Sequence, residues 1–504
     1  MKYDIRIVNA QIIDGTGKEA FKGEVGIKDG YIKKVASSVE GDAKTEIDAE
    51  GNFLSPGFID LHTHCTPSPT MNYLQQGVTT VVTGNCGFGF GRSGTEIVNK
   101  EQNEVSDLGP NFAFLIGHNT VRMQAMNRDN RPPTDLELSK MKSIIKENID
   151  KGAFGFSTGL AYVPGAYSKT DEIIELSKVL QGTNSFYASH IRNEGIKVVD
   201  SVKEVLEIQK EADVPVHISH HKVCGVKNWG KSRETIALIK QARNKGIDVT
   251  LDQYPYTASC GTIQLLMPTY AGEGTPEDIK NRITKERNEI KEAIINKLSN
   301  YYDNDLSRVF FVNCTPIPEL AGKNLADATK RFNRETSPEG AADTVLDIVS
   351  ANPSHGATMM VSHSMSGEEV VYILQYPETC VGSDGWNMVM NVGHPHPRSY
   401  GTFPRVLGYY GREKQVISFE DGVKRMTSLP AKRLSLKDRG TIQEDVWADI
   451  VIWNPKTIID KATFENPHQY PEGINYVIVN GVVILKEGKL VGNYSGRLLK
   501  KSEQ

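Results

Sequence analysis

Over the first 57 residues, polar and apolar side chains alternate in short runs. Asp4–Val8, Glu24–Lys28, Tyr31–Val35 and Thr45–Asp48 read as strands, with Asp14-Gly15 and Asp29-Gly30 as tight turns. The pattern changes after Ser55-Pro56-Gly57. From about residue 58 to 425, short apolar runs alternate with segments of helical period. The runs end at Leu61-His62, Val82-Thr83, Leu115-Ile116, Gly155-Phe156, Ser189-His190, Ser219-His220, Leu251-Asp252 and Ser383-Asp384. Eight such runs predict an α/β fold with a (β/α)8 barrel. The stretch exceeds the usual barrel length of about 250 residues, so insertions are required. The clearest is Glu273–Arg308, between the seventh and eighth runs. Its segment Ile279–Leu298 is charged and amphipathic, which favours a solvated helical decoration over a lid. The strand pattern returns from about 441, at Asp449–Trp453, Tyr476–Asn480 and Val482–Leu485. Neither chain end has enough strands to be stable alone. Residues 1–57 and 426–504 are therefore expected to complete one small β-sandwich beside a catalytic barrel over 58–425.

Charge and composition narrow the field. Lys plus Arg is 58 and Asp plus Glu is 62, a net of −4 without long single-sign runs. That balance argues against a nucleic-acid partner and against a polybasic membrane anchor. The N-terminus MKYDIRIVNAQIIDG has no apolar core of a signal peptide, and no window reaches the roughly 18 apolar residues of a membrane span. Six scattered cysteines do not make a disulfide framework. A reduced, cytoplasmic setting is the expectation, with each Cys a small core residue or a metal ligand.

The chemistry sits at the ends of the apolar runs. His62 and His64 form His-Thr-His after the first, and period two puts both on one strand face. His190 ends the fifth run, His220 the sixth and Asp384 the eighth, and barrel sites form at the C-terminal ends of strands. A lone His-x-His is more often packing than a site, and Gly382-Ser383-Asp384-Gly385 alone is a turn. The recurrence at successive strand ends is far more specific than any member. Imidazole and carboxylate together suit zinc best. His217 and His221 flank His220, and periodicity leaves the ligating register open. Cys86, in Thr83-Gly84-Asn85-Cys86-Gly87, is a small buried hydrophobe or, facing histidines, a thiolate ligand.

Longer motifs resemble those of the amidohydrolase superfamily and, within it, the D-aminoacylase (N-acyl-D-amino-acid deacylase) family. They are Ser55-Pro56-Gly57-Phe58-Ile59-Asp60-Leu61-His62-Thr63-His64, the run Gly77–Gly87, Gly155–Tyr162, Ser189–Glu194, Ser219–Lys222, Leu251–Tyr256, Pro395–Arg398, Gly401–Gly408 and Met426–Asp449. The resemblance spans nearly the whole chain. It implies a tight zinc on Cys86, His190 and His220, and a second, weaker metal position at His62, His64 and Asp384. It also implies that His220 is the ligating member of its trio. Many amidohydrolases bridge two metals with a modified lysine on strand four. Gly155–Gly159 has no lysine, which agrees with a cysteine taking that work. Cys65 stands where relatives usually carry Asp.

The activity so implied is zinc-dependent hydrolysis of an N-acyl-D-amino acid, a small-molecule substrate. Asp384 is then general base and acid, Lys222, Tyr254 and Arg398 clamp the α-carboxylate, and Tyr162 walls the pocket. Cys260 is a position that tunes side-chain preference. Trp229 and Trp386 are candidates for the acyl pocket; His355 and His363 fall in the segment before strand eight, and His363 is a candidate for the barrel mouth, with packing the equal alternative. A dipeptidase acting before a C-terminal D-residue is the near rival, because the same clamp serves both. A cyclic-amide hydrolase ranks lower for want of the strand-four lysine. A non-catalytic metal scaffold needs no base at Asp384.

Overall fold

The structure, a computed structural model, describes residues 2–89, 107–492 and 494–501. Eight parallel strands line up in chain order: Phe58–Asp60, Val78–Thr83, Asn111–Gly117, Gly155–Gly159, Phe186–His190, Val216–Ile218, Val249–Gln253 and Thr379–Val381. Every residue of these strands is buried, as expected of a parallel sheet with helices outside and packed side chains within. The intervening helices are amphipathic. Val198–Ala212, for example, buries Val198, Ser201, Val202, Val205, Ile208 and Ala212 at helical spacing.

The barrel is nearly closed. Strands one and eight share no ladder, and their seam is sealed at the mouth by a parallel bridge between Thr63 and Gly385. Backbone bonds from Asp384 N to His62 O (2.7 Å) and from His64 N to Gly385 O (2.8 Å) continue it. Asp60 staples the same seam, accepting from the backbone N–H groups of His62 and Ser383 at 3.0 Å each. Closure thus brings the His-Thr-His motif against Asp384.

The chain ends meet in a nine-stranded mixed sheet. Phe53–Pro56 pairs antiparallel with Ile450–Trp453 and parallel with the end of Tyr3–Ile12, which joins the two ends. Tyr3–Ile12 buries alternate residues until a bulge at Asn9, φ 56°, shifts the register between Ile7 and Ala10. A separate apolar core holds this sheet, from Ile5 and Ile7 through Val25 and Ile27 to Ile450 and Ile478.

Between strands seven and eight lies a module with its own core. Ser259–Thr262, Thr358–Ser362 and Val309–Cys314 form an antiparallel sheet in that order, covered by helices that include Pro276–Lys285, Arg287–Tyr302 and Pro338–Ala351. The amphipathic segment 279–298 spans two helices. Thr275 and Asp278 close a capping box on the first, and the chain leaves helical geometry at Glu286 before the second begins. Both helices are more than solvated decoration: Ile279, Ile283, Ile290, Ile294 and Leu298 are buried in the module's core. Among the described residues, no helix is long and apolar enough to cross a membrane.

Candidate metal centre and substrate cavity

Three candidate ligands leave their strands in a left-handed conformation: Cys86 at φ 52°, His220 at φ 34° and Asp384 at φ 51°. Non-glycine residues held there cost about 1–3 kcal/mol each and persist only where the surroundings over-determine them. Here the turn at each strand end swings the side chain over the barrel mouth. Cys86 needs room to do so. A Cβ on Gly159, at the end of strand four, would lie 2.1 Å from the Cys86 carbonyl oxygen, so strand four must end in glycine.

The result is a convergent donor set. Cys86 Sγ lies 3.3 Å from His62 Nε2, 3.4 Å from His220 Nε2 and 3.7 Å from His190 Nδ1. Zn–S bonds of about 2.3 Å and Zn–N bonds of about 2.05 Å in a tetrahedron put S and N roughly 3.5 Å apart. The donors therefore fit zinc in spacing as well as in kind. They form two overlapping groups, Cys86 with His190 and His220, and Cys86 with His62, His64 and Asp384, each with ligand atoms within 4.8 Å of one another. Cys86 is common to both, the position a bridging thiolate takes. Burial alone would push its thiol up, but the charges of His62 and His220, with hydrogen bonds from His190 and His220, hold it well below its ordinary range.

Carboxylates support the rings from behind. Asp252 on strand seven accepts from the backbone N–H of His220 (2.9 Å), contacts His217 Nε2 (2.7 Å) and lies 3.4 Å from His62 Nδ1. His217 is thus a brace for Asp252, and its Nδ1 meets Thr250 Oγ1 at 2.7 Å. His221 turns to Thr235 Oγ1 (2.8 Å), leaving His220 alone of the trio at Cys86. Glu194 backs both remaining ligands, with Oε1 3.1 Å from His220 Nδ1 and Oε2 3.8 Å from His190 Nε2. Neither Asp252 nor Glu194 stands out in the sequence as a support. The only signal is that each lies inside a longer motif around a histidine or tyrosine. Such partners fix the tautomer and orientation of metal-binding imidazoles.

Asp384 faces two ways. Oδ1 is 2.9 Å from His64 Nε2 and 3.6 Å from His62 Nε2, and Oδ2 is 2.8 Å from Arg398 Nη1. Burial would raise its pKa, but Arg398 and His220 outweigh burial and keep the carboxyl well below the usual range, hence ionised. Arg398 is itself buried and lies 4.6 Å over the Tyr254 ring. Its Nε and Nη1 make no well-directed hydrogen bond among the described residues, despite the ion pair with Asp384. Lys222 Nζ lies 5.6 Å from the centre of the same ring. It pairs with Glu194 and donates to the His220 carbonyl oxygen at 2.8 Å. Tyr162 packs 4.6 Å from the His190 ring. A cavity of about 410 Å³ opens from this cluster, lined by Asp384, His190, Lys222 and Tyr162 and running into the inserted module past Cys260 and His355.

Other candidates lie elsewhere. Trp229 does not line this cavity and donates its indole N–H to the Ser364 carbonyl oxygen (3.0 Å), while Trp386 stacks on His64 at 4.8 Å. His363 packs against Phe464 at 4.4 Å. Cys65 is buried beside the first strand, and desolvation pushes its thiol up to about 12, a core role.

The chain matches the amidohydrolase family over residues 45–283 and 377–485. It is 32% identical to D-aminoacylase of Alcaligenes xylosoxydans xylosoxydans, over 99% of this chain and 98% of that protein. It is also 32% identical to N-acyl-D-glutamate deacylase of the same organism, over 99% and 97%. In three dimensions it resembles the crystal structure of N-acyl-D-glutamate deacylase from Bordetella bronchiseptica, complexed with zinc and a phosphonate that mimics the tetrahedral intermediate. The TM-score is 0.81 at 32% identity, covering 99% of this chain and 100% of that one.

Proposed function

The chain belongs to the D-aminoacylase (N-acyl-D-amino-acid deacylase) family of amidohydrolases, and from that premise we propose that it hydrolyses the amide bond of N-acyl-D-amino acids to a carboxylate and a free D-amino acid. The observation that carries this reading is the juxtaposition of Arg398, a buried guanidinium ion-paired with Asp384, with the Cys86–histidine cluster, where Asp384 and His190 line the cavity.

Cys86, His190 and His220 would hold one zinc ion. His62, His64 and Asp384, sharing Cys86, offer a second position. When bound, zinc supplies Lewis-acid polarisation of the amide carbonyl and of the attacking water. The remaining work falls to the protein. Asp384, ionised and at the edge of the cluster, takes the proton of the water and passes it to the departing amine nitrogen as the C–N bond breaks. Arg398 offers its fork to the substrate α-carboxylate, with the Tyr254 ring beneath it and Lys222 as a point charge beyond. Tyr162 closes the wall beside His190.

The test is release of free amino acid from paired N-acetyl-D and N-acetyl-L substrates of Met, Leu, Phe, Glu and Asp by the zinc-reconstituted protein. Turnover confined to the D series is expected. Failure to turn over either series with zinc bound would refute the reading, and cleavage of D-terminal dipeptides would then identify the rival.

A further inference from the structure

The cavity does not end at the reaction centre. Its far wall is the helix Arg287–Tyr302 of the inserted module. This helix docks directly on the loops that carry the candidate ligands. Gly195, next to Glu194, has no side chain where the Tyr301 hydroxyl sits, and a Cβ there would come within 2.1 Å of it. One helical turn earlier, Lys297 lays its ammonium 3.8 Å over the Tyr301 ring. Both residues line the cavity that Asp384 and Lys222 line.

Lys297 has no carboxylate within ion-pairing distance among the described residues, unlike Lys222, which pairs with Glu194. The acids of this cavity wall, Glu194 and Asp384, are already engaged, by Lys222 and Arg398. Burial pushes the Lys297 ammonium below the ordinary lysine range, outweighing the opposing pull of Cys224 and Glu194, so part of the cation's desolvation cost is left unmet. An anion arriving with the substrate would offset it.

We propose that Lys297 is the end of a second anion subsite, so that the preferred substrates carry a carboxylate beyond the α-carboxylate, on the side chain or on the acyl group. The proposal rests on the deacylase reading for its substrate frame. It extends that reading by naming the substrate class as dianionic and assigning the recognition to the inserted module.

Four measurements on the zinc-reconstituted full chain test it, with kcat/KM for N-acetyl-D-glutamate, N-acetyl-D-aspartate, N-acetyl-D-leucine and N-succinyl-D-leucine. A hydrogen bond to a charged group corresponds to roughly 10–100-fold, the margin expected for one of the dianionic substrates over N-acetyl-D-leucine. Preference for the glutamate or aspartate derivative puts the second carboxylate on the side chain, and preference for the succinyl derivative puts it on the acyl group. Lys297→Met should erase the margin while sparing N-acetyl-D-leucine, and Lys297→Arg should retain most of it. Thermal melts of both variants exclude misfolding as the cause. A wild-type preference for N-acetyl-D-leucine, with a substrate ratio that Lys297→Met leaves unchanged, overturns the proposal. Calorimetric binding of D-glutamate and N-succinyl-D-leucine separates the two readings. Binding that depends on Lys297 without turnover of any N-acyl-D-amino acid would sink the deacylase reading and keep the subsite. Binding of both that is equal in wild type and Lys297→Met would sink the subsite.

Discussion

Glu194 is the residue whose removal should disturb the most of this centre at once. One carboxylate faces His220 Nδ1 at 3.1 Å and His190 Nε2 at 3.8 Å, and it also pairs with Lys222. With His220 Nε2 turned to Cys86, Nδ1 faces Lys222 Nζ at 2.7 Å and Glu194 Oε1 at 3.1 Å, and of these two Glu194 is the group that can accept a proton from it. Loss of such a support typically weakens metal binding about 10–100-fold, or about 1.4–2.8 kcal/mol. The His190 contact is too long for a good hydrogen bond, so the effect should come mainly through His220. Glu194→Ala adds a second penalty. Lys222 is buried, and stripping a buried ion of its partner costs about 3–5 kcal/mol of stability. Glu194→Gln keeps an acceptor and removes the charge, so it separates the two effects. Zinc affinity by chelator competition and denaturant unfolding of the metal-free protein are the assays. We expect weaker zinc binding in both variants, and a stability loss in both that is larger in Glu194→Ala, which removes the acceptor as well as the charge. Zinc affinity within about threefold of wild type in both would refute the reasoning, since it lies well below the smallest support effect expected.

Asp384→Asn should lower turnover by about 10²–10⁴ while zinc stays on Cys86, His190 and His220; full activity of the zinc-loaded variant would remove Asp384 from the proton transfers. Arg398→Lys gives up the planar fork and the stacking on Tyr254, so KM should rise by roughly an order of magnitude or more with a smaller change in kcat. An unchanged KM would take the α-carboxylate away from Arg398. Glu172 accepts from Arg122 Nη1 at 2.6 and 2.7 Å and lies 2.9 Å from His118 Nε2. Burial would raise its pKa, but His118 and Arg122 hold it below the ordinary glutamate range, so its stabilisation is complete above the unfolded carboxyl pKa and fades as pH falls through the folded one. Glu172→Gln should therefore destabilise at pH 7 by about 3–5 kcal/mol, because Arg122 stays buried without its partner. The difference from wild type, measured by urea unfolding, should shrink in strong acid; a constant difference would show that charge is not the cause.

Much of the fold is legible in sequence because it is a matter of period. The eight barrel strands are short apolar runs separated by amphipathic helices, and each ends within three residues of a run's end read from the chain; the fourth, Gly155–Gly159, begins where its run was expected to end. Local chemistry also survives without coordinates: His62, His190, His220 and Asp384 stand at strand ends, where a parallel barrel opens its mouth. Period says nothing of residues that leave the strand. Cys86, His220 and Asp384 take left-handed backbone at the turn, so no face rule could tell His220 from His217 or His221. The split at Glu286 escaped as well, because both helices share an amphipathic pattern and only the docking of each on the module's core separates them. Contacts between distant segments are likewise beyond sequence. Glu194 behind two histidines, Arg398 over Tyr254 beside Asp384, and Lys297 of the inserted module in the wall of the cavity that Asp384 lines each depend on groups brought together across the chain. Sequence by itself determined which elements form and which chemistry the chain carries, because backbone period and side-chain type are local. The tertiary structure alone decided which donors converge, which charges go unpaired and where a substrate fits, because distance, desolvation and strain exist only once the barrel closes.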